Sequence, residues 1–203
     1  MVFVDLLTSQ LFGIGFAGLL VAYLFVDSYL LSKRGKKIGE SIRYAAIPIA
    51  ALGVYLLLTS LFGQFAWPLP GSYNILFFEP LSFAAFLLLA FVWAVRSGSA
   101  TSPVGLLGLL LGIITIYYGY EGYLLNMTQS PIAMFGMYAL LGIAGVFSYP
   151  ATIALDQLVS GTRRLESKYF ILCAIFVVAL VLGSLIAIGT GVMAVPAHLA
   201  SPP

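Results

Sequence analysis

Long apolar segments, separated by short polar or Pro- and Gly-rich connectors, dominate the hydrophobic pattern of this chain. A transmembrane helix needs about 20 mainly apolar residues, and six segments reach that length. None of them shows the period-2 alternation that is typical of half-buried β-strands. The pattern predicts an all-α integral membrane protein in which six transmembrane helices form a single membrane domain, residues 1–203. The predicted spans are about 7–31, 44–66, 78–95, 103–125, 131–158 and 169–195.

The amino-acid composition agrees with a membrane location. Hydrophobic residues make up 62% of the chain and charged residues 8%, whereas roughly a quarter of the residues in a soluble domain are charged. This composition predicts a multi-pass protein of the cell membrane that contacts membrane lipids and does not bind nucleic acid. Partner membrane subunits and a homo-oligomer are both compatible with it, because glycine-rich helix faces allow close packing.

The basic residues predict the orientation of the spans. All nine of them fall in three alternate connectors, and short basic loops remain on the cytoplasmic side of a membrane. We therefore expect both termini to lie outside, an N-out/C-out topology. The residues are Lys33, Arg34, Lys36, Lys37 and Arg43 after the first span, Arg96 after the third, and Arg163, Arg164 and Lys168 after the fifth.

An offset of 94 residues places the first half of the chain over the second half. It aligns residues 18–31 with 112–125 and pairs Asp27 with Glu121. Three spans in each half would make this a 3+3 inverted repeat, as in many transporters. Chance is the other interpretation, because apolar sequences match one another easily.

Two carboxylates, Glu79 and Glu121, lie at the predicted outer face, where the sequence has no lysine or arginine to neutralise them. Carboxylates near a membrane are costly and often functional. Glu121 is the stronger candidate, because Tyr117, Tyr118 and Tyr120 are available as hydrogen-bond donors. A helix N-terminus would favour the charge of Glu79 at the start of the third span. The alternative for both is a solvated carboxylate at the interface.

Asp27 and Asp156 lie about one turn inside the predicted cytoplasmic ends of the first and fifth spans. One interpretation is that each forms an ion pair with the basic connector that follows it. The other is that they are functional carboxylates of the inner face.

The run WPLPGSYNILF at 67–77, followed by Glu79 and Pro80, is the least generic part of the chain. Tyr73 and Asn74, with Ser72, are its hydrogen-bonding members, and they either line an outer mouth or satisfy the backbone of the loop. The run resembles an uncharacterised family of archaeal and bacterial multi-pass membrane proteins, domain of unknown function 981. The resemblance implies a multi-pass helical fold over most of the spans and assigns no catalytic residue.

Motifs for metal or cofactor chemistry are missing from the sequence. His198 is the only histidine, which excludes a multi-histidine metal site or bis-histidine haem ligation within one chain. We expect no cofactor, and we expect the Pro-rich tail around His198 to fray. The leading hypothesis is a transport or channel-like protein that is not an enzyme. The alternatives are an accessory or scaffold subunit of a larger membrane complex, such as a respiratory complex, and a membrane-embedded enzyme acting on lipid or quinone.

Overall fold

The computed structural model describes residues 5–162 and 165–200. Within these residues the chain forms six α-helices and no strand. All six are long and apolar enough to cross a membrane, which confirms the predicted all-α fold. The shortest has 23 residues, or about 34 Å at about 1.5 Å per residue, against about 30 Å of hydrocarbon. The helices are α1 (Leu6–Lys33), α2 (Gly39–Ala66), α3 (Tyr73–Ser97), α4 (Ser102–Leu124), α5 (Pro131–Val159) and α6 (Ser167–Ala200).

Three helices extend beyond the predicted spans by five residues at one end. The helix α2 begins at Gly39, α3 begins at Tyr73 within the expected outer loop, and α6 continues to Ala200. Hydropathy detects only the part of a helix that contacts hydrocarbon, whereas backbone hydrogen bonds continue through polar turns. The C-terminal residues around His198 are accordingly helical rather than frayed, as far as Ala200.

Helices that are neighbours in sequence also pack against each other, and α6 packs against α1 to complete a ring. The α4–α5 contact is the most extensive of these and the α3–α4 contact is the least extensive. We call the end where α1, α3 and α5 finish the basic end, because the basic residues that the structure describes lie there. The other end, which carries Tyr117 and Tyr120, is the tyrosine end. Which end faces the cytoplasm stays a prediction.

Glycines bring α4 and α5 into close contact. A Cβ atom on Gly112 would lie 2.5 Å from the carbonyl oxygen of Gly142 and 2.5 Å from the backbone nitrogen of Val146. A Cβ on Gly108 would lie 2.3 Å from the Ser148 hydroxyl. Small residues let membrane helices approach until their backbones touch, so these glycines serve packing within the chain.

The proline at position 80 lies in the interior of α3, not in its first turn as the predicted span implied. A proline has no N–H, so the carbonyl four residues earlier loses its helical partner. That carbonyl belongs to Leu76, and the hydroxyl of Tyr138 on α5 donates to it at 2.7 Å. Two residues along, Gln64 on α2 donates to the Phe78 carbonyl at 3.0 Å. The Tyr138 hydroxyl thus replaces the backbone hydrogen bond that the proline removes from α3.

The inverted repeat stays a prediction. It pairs Gly18 with Gly112, and α3 with α6. Gly18 packs against Ser184 of α6, so an equivalent Gly112 would pack against α3. Gly112 instead contacts α5, and this pair of glycines therefore gives the repeat no support.

Candidate functional site

The carboxylate of Glu79 accepts a hydrogen bond from the hydroxyl of Tyr118 at the tyrosine end. Because α3 begins at Tyr73, Glu79 lies beyond the first turn, and a tyrosine rather than a helix N-terminus is its partner. This bond crosses the α3–α4 contact, the least extensive one in the ring. A hydrogen bond between side chains of two helices stabilises their association in a membrane bundle. It therefore ties together two helices that otherwise pack weakly.

The other predicted members of the tyrosine cluster do not converge on Glu121. Tyr117 and Tyr120 are 60% and 47% exposed, and Tyr120 packs edge-on against Phe135 at 6.3 Å. Glu121 is half-buried, and none of the hydrogen bonds among the described residues involves its carboxylate. Of the predicted tyrosines only Tyr118 binds a carboxylate, and that carboxylate is Glu79. A functional role for Glu121 stays a prediction.

Asn74 forms hydrogen bonds with the backbone of the loop that precedes α3. Its side chain is buried, 1% exposed; it accepts from the Leu69 N–H at 3.2 Å and donates to the Leu69 carbonyl. Tyr73 is half-buried and stacks on Phe77 with ring centroids 6.2 Å apart. These contacts favour the second interpretation of the loop residues, in which they hold the backbone of the loop.

Asp156 of α5 holds the start of α4. It accepts from the Thr101 N–H at 2.8 Å, the Thr101 hydroxyl at 2.7 Å and the Ser102 N–H at 3.0 Å. The first N–H groups of a helix lack helical partners, and a carboxylate there is also favoured by the helix dipole. Asp156 therefore acts as a capping residue supplied by a different helix.

Asp27 also connects two helices at the basic end, but through a single hydrogen bond. Its carboxylate accepts from the Ser41 hydroxyl at 2.8 Å, which joins the end of α1 to the start of α2. Neither Asp27 nor Asp156 forms an ion pair with any described basic residue. Arg163 and Arg164 lie outside the described residues, so the ion-pair interpretation of Asp156 stays a prediction.

A cleft of about 210 Å³ lies inside the bundle, and residues of α1, α3, α4, α5 and α6 line it. No charged side chain belongs to its lining among the described residues. Hydroxyl groups of Ser148 and Thr152 do reach it, but both donate to backbone carbonyls, Ser148 to Gly105 at 2.9 Å and Thr152 to Ser148 at 2.9 Å. The wall is therefore apolar even where polar residues contribute to it. Its half-buried lining on the α3 and α4 sides includes Leu81, Ala84, Leu87, Leu111 and Thr115.

Two buried polar side chains near the cleft have no hydrogen-bond partner among the described residues. Both side-chain polar atoms of Gln10 are in this state, as is the hydroxyl of Ser184, although they are 1% and 0% exposed. Gln10 lies one helical turn before Ile14, and Ser184 packs against Gly18; both Ile14 and Gly18 line the cleft. A buried polar group without a partner costs about 1–3 kcal/mol, and neither Gln10 nor Ser184 belongs to the lining of the cleft.

Comparison with protein families assigns the chain. The model of DUF981, described as a protein of unknown function, matches residues 1–201. The chain belongs to the DUF981 family. The comparison with curated proteins returns no match, and neither does the comparison with solved structures. The family match confirms the resemblance seen at residues 67–77. Together with the six apolar helices it supports a multi-pass membrane protein, and it assigns no activity to this DUF981 protein.

The described residues of this DUF981 protein contain no group of three or more His, Cys, Asp or Glu side chains that could hold a metal ion. His198 instead joins the two ends of the chain. Its Nδ1 lies 2.7 Å from the Asp5 carboxylate and 3.2 Å from the Thr8 hydroxyl. Asp5 also caps α1 by accepting from the Thr8 N–H at 3.2 Å. The contact between α1 and α6 at the tyrosine end thus includes a polar clasp, which we call the Asp5–His198 clasp.

The Asp5–His198 clasp predicts a weak acid dependence of stability. Burial by itself raises the pKa of Asp5, but hydrogen bonds from His198 and Thr8 outweigh this effect and hold the pKa below its ordinary value of 3.8. A carboxyl group whose pKa is lowered in the folded state stabilises the protein above pH 3.8. This stabilisation is lost as the pH falls through the folded-state pKa. We expect Asp5→Asn to flatten this acid limb by on the order of 1 kcal/mol. Unfolding followed from pH 6 to about pH 3 measures it.

Glu40→Gln is the control for this experiment, because Glu40 is exposed and has no hydrogen bond to a described residue. It should keep the acid limb of the wild type. Equal acid limbs in the wild type and Asp5→Asn would show that the clasp does not contribute.

Sequence reasoning on this DUF981 protein did not identify Gln10, Ser184 or the Asp5–His198 clasp. Gln10 did leave a signal, since it is a polar residue inside an apolar span, spaced by four from Ile14. Such a residue usually faces the interior of a bundle. The clasp left none, because its two members are separated by 193 positions.

Proposed function

We propose that this DUF981 protein binds the apolar chain of a membrane amphiphile in its central cleft and that this binding serves transport of the molecule. The observation that carries the proposal is the apolar cleft of about 210 Å³ between five helices. Ligand sites between the helices of a bundle are typically apolar, with a few polar groups that orient the ligand. This cleft has that composition.

The volume suits a chain or a small ring system. An apolar cavity of about 150 Å³ in another protein binds benzene, so about 210 Å³ accommodates a segment of an acyl or isoprenoid chain. Gly105, Gly108 and Gly112 form much of the α4 wall. Because they carry no side chain, they leave space beside α3 while still packing against α5.

The cleft has a natural entrance at the α3–α4 contact. This contact is the least extensive in the ring, and half-buried residues of both helices line the cleft behind it. A molecule dissolved in the bilayer would enter there without crossing water. The Glu79–Tyr118 pair bridges the same two helices at the tyrosine end, one turn beyond Thr115, where it would meet a polar headgroup.

The apolar lining supports a hydrophobic ligand more than an ion. An ion path through hydrocarbon needs charged, carbonyl or hydroxyl groups that replace water. The hydroxyls in this cleft are already bonded to the backbone. The carboxylates at the tyrosine end, Glu79 and Glu121, would then orient a headgroup instead of selecting a cation.

Photocrosslinking tests the proposal. A phosphatidylcholine with a diazirine in one acyl chain is incorporated into vesicles that contain the protein, and crosslinked peptides are identified by mass spectrometry. We expect crosslinks on cleft residues of α3 and α4, including Ala84 and Leu111, in addition to those on the lipid-exposed surface. Crosslinks confined to exposed residues such as Leu106 would contradict binding in the cleft.

Ala84→Phe should close the cleft. Ala84 is half-buried and lines it, so a phenyl ring would occupy the space of the ligand. We expect cleft crosslinks to fall about tenfold, which corresponds to about 1.4 kcal/mol of binding free energy. Leu106→Phe is the matched control, because Leu106 is 47% exposed and outside the lining. It should leave the cleft crosslinks unchanged.

A second measurement separates binding from transport. Movement of a fluorescent phospholipid between the two leaflets of these vesicles should be faster with the wild type than with Ala84→Phe. If the cleft crosslinks form but this rate equals that of protein-free vesicles, the binding part of the proposal stands and the transport part is wrong. Thermal unfolding of each variant shows whether Ala84→Phe remains folded.

A further inference from the structure

We propose that a recess at the basic end binds the phosphate of an anionic phospholipid. The recess has a volume of about 300 Å³ and is lined by Glu40, Arg43 and Tyr44 of α2 and by Arg96 of α3. We call it the arginine recess. It lies on the opposite half of the bundle from the Glu79–Tyr118 pair, and α2 contributes nothing to the central cleft.

The two arginines converge from different helices. Arg43 lies in the first turns of α2, and Arg96 lies in the last turn of α3. An Nη atom of Arg43 lies 3.5 Å from the position of a Cβ on Gly98. The guanidinium of Arg43 therefore reaches across to the end of α3, beside Arg96. The antiparallel packing of α2 on α3 creates this arrangement.

Both guanidinium groups remain available for a ligand. Neither forms an ion pair or a hydrogen bond with a described residue, although Glu40 lines the same recess. Two arginines and one glutamate leave an excess of one positive charge. A guanidinium has five N–H donors in a planar fork that matches the oxygens of a phosphate. The recess therefore offers two guanidinium groups to a phosphate-sized anion.

The surroundings favour a lipid as the source of the phosphate. Tyr44 and Trp93, on the two helices that form the recess, are 71% and 77% exposed. Such aromatics lie at the headgroup level of membranes. Ile47, one turn further along α2, is 54% exposed and continues the surface towards hydrocarbon. A headgroup in the recess would thus have apolar surface for its chains directly below.

Binding in the arginine recess differs from the general attraction of anionic lipids to the basic connector between α1 and α2. Lys33, Arg34, Lys36 and Lys37 contribute a general positive potential that attracts an anionic membrane surface without directed contacts. A phosphate held between Arg43 and Arg96 would instead receive directed hydrogen bonds. The two modes make different predictions for variants.

Native mass spectrometry tests the inference. The full chain is equilibrated in mixed micelles with equal amounts of phosphatidylglycerol and phosphatidylcholine, and the lipids that remain bound are counted. We expect the wild type to retain phosphatidylglycerol preferentially. Arg43→Gln combined with Arg96→Gln should reduce that preference about tenfold or more, because the directed hydrogen bonds from both guanidinium groups to the charged phosphate are lost. Lys36→Gln combined with Lys37→Gln is the matched control, with the same loss of charge, and should retain most of the preference.

Each other outcome overturns the proposal. A wild type without preference for phosphatidylglycerol would exclude the site, and an equal loss in the lysine control would reduce it to general attraction. If inorganic phosphate alone stabilised the protein against thermal unfolding as much as phosphatidylglycerol does, the recess would be a site for free phosphate instead of lipid. If the double arginine variant does not fold, Arg96→Lys keeps the charge and removes the fork. Preference unchanged in Arg96→Lys would then contradict the directed bonds.

Discussion

Gly112→Ala is expected to destabilise the bundle by about 2–3 kcal/mol, because no space exists for the added methyl group. A Cβ there would lie 2.5 Å from backbone atoms of Gly142 and Val146. Backbone atoms of a packed helix cannot rotate away as a side chain would, so α4 and α5 must separate. Their contact is the most extensive in the bundle, and a separation weakens it along its length. Unfolding in mixed detergent micelles measures the change.

Gly136→Ala is the matched control for this prediction. Gly136 is also a helical glycine, but a Cβ there meets nothing within 4 Å. Alanine is a better helix former than glycine by about 1 kcal/mol, so the control should be neutral or slightly stabilised. Equal stability of Gly112→Ala and Gly136→Ala would contradict the close approach of α4 and α5.

Asp156→Ala is expected to cost about 2–3 kcal/mol, because it removes three hydrogen bonds at the start of α4. Loss of an ordinary capping residue costs about 1 kcal/mol, and N–H groups left buried without a partner add to that cost. Thr101 is 4% exposed, so water replaces the carboxylate poorly. Equilibrium unfolding together with hydrogen exchange at the start of α4 measures both effects.

Asp27→Ala provides the comparison at the same end of the bundle. Asp27 accepts one hydrogen bond, from the Ser41 hydroxyl, so its removal should cost about 1 kcal/mol or less. Asp156→Asn should fall between the wild type and Asp156→Ala, since it keeps one oxygen acceptor. If Asp27→Ala and Asp156→Ala were equally destabilising, capping would not explain the role of Asp156.

The sequence predicted the spans because crossing a bilayer is a property of single segments. Each span must hide its backbone by forming a helix and must expose apolar side chains to lipid. Both requirements are legible in the composition of about 20 consecutive residues. Helix ends were less predictable: α3 begins at Tyr73, where the run of prolines, glycine and polar residues suggested a loop. There the side chain of Asn74 holds the turn through hydrogen bonds with the backbone N–H and carbonyl of Leu69.

The candidate site was less predictable than the fold. The sequence placed Glu79 and Tyr118 at the same outer face but offered Tyr118 as a donor to Glu121, whereas the structure pairs Tyr118 with Glu79. No sequence pattern indicated that Tyr118 would donate its hydrogen bond to Glu79 instead of Glu121, which lies three residues away on the same helix as Tyr118. That choice depends on how α3 and α4 are placed side by side, which apolar spans do not encode in any local pattern.

The sequence by itself determined that this chain forms six apolar helices with its basic residues at alternate connectors, because hydropathy and charge act locally on each segment. Only the tertiary structure decided that Asp156 caps α4, that Tyr138 compensates Pro80, and that an apolar cleft remains between five helices. Lipid-facing and buried positions in a membrane helix are equally apolar, so the hydrophobic pattern does not specify which faces meet. Close packing of small residues and hydrogen bonds between helices specify them instead.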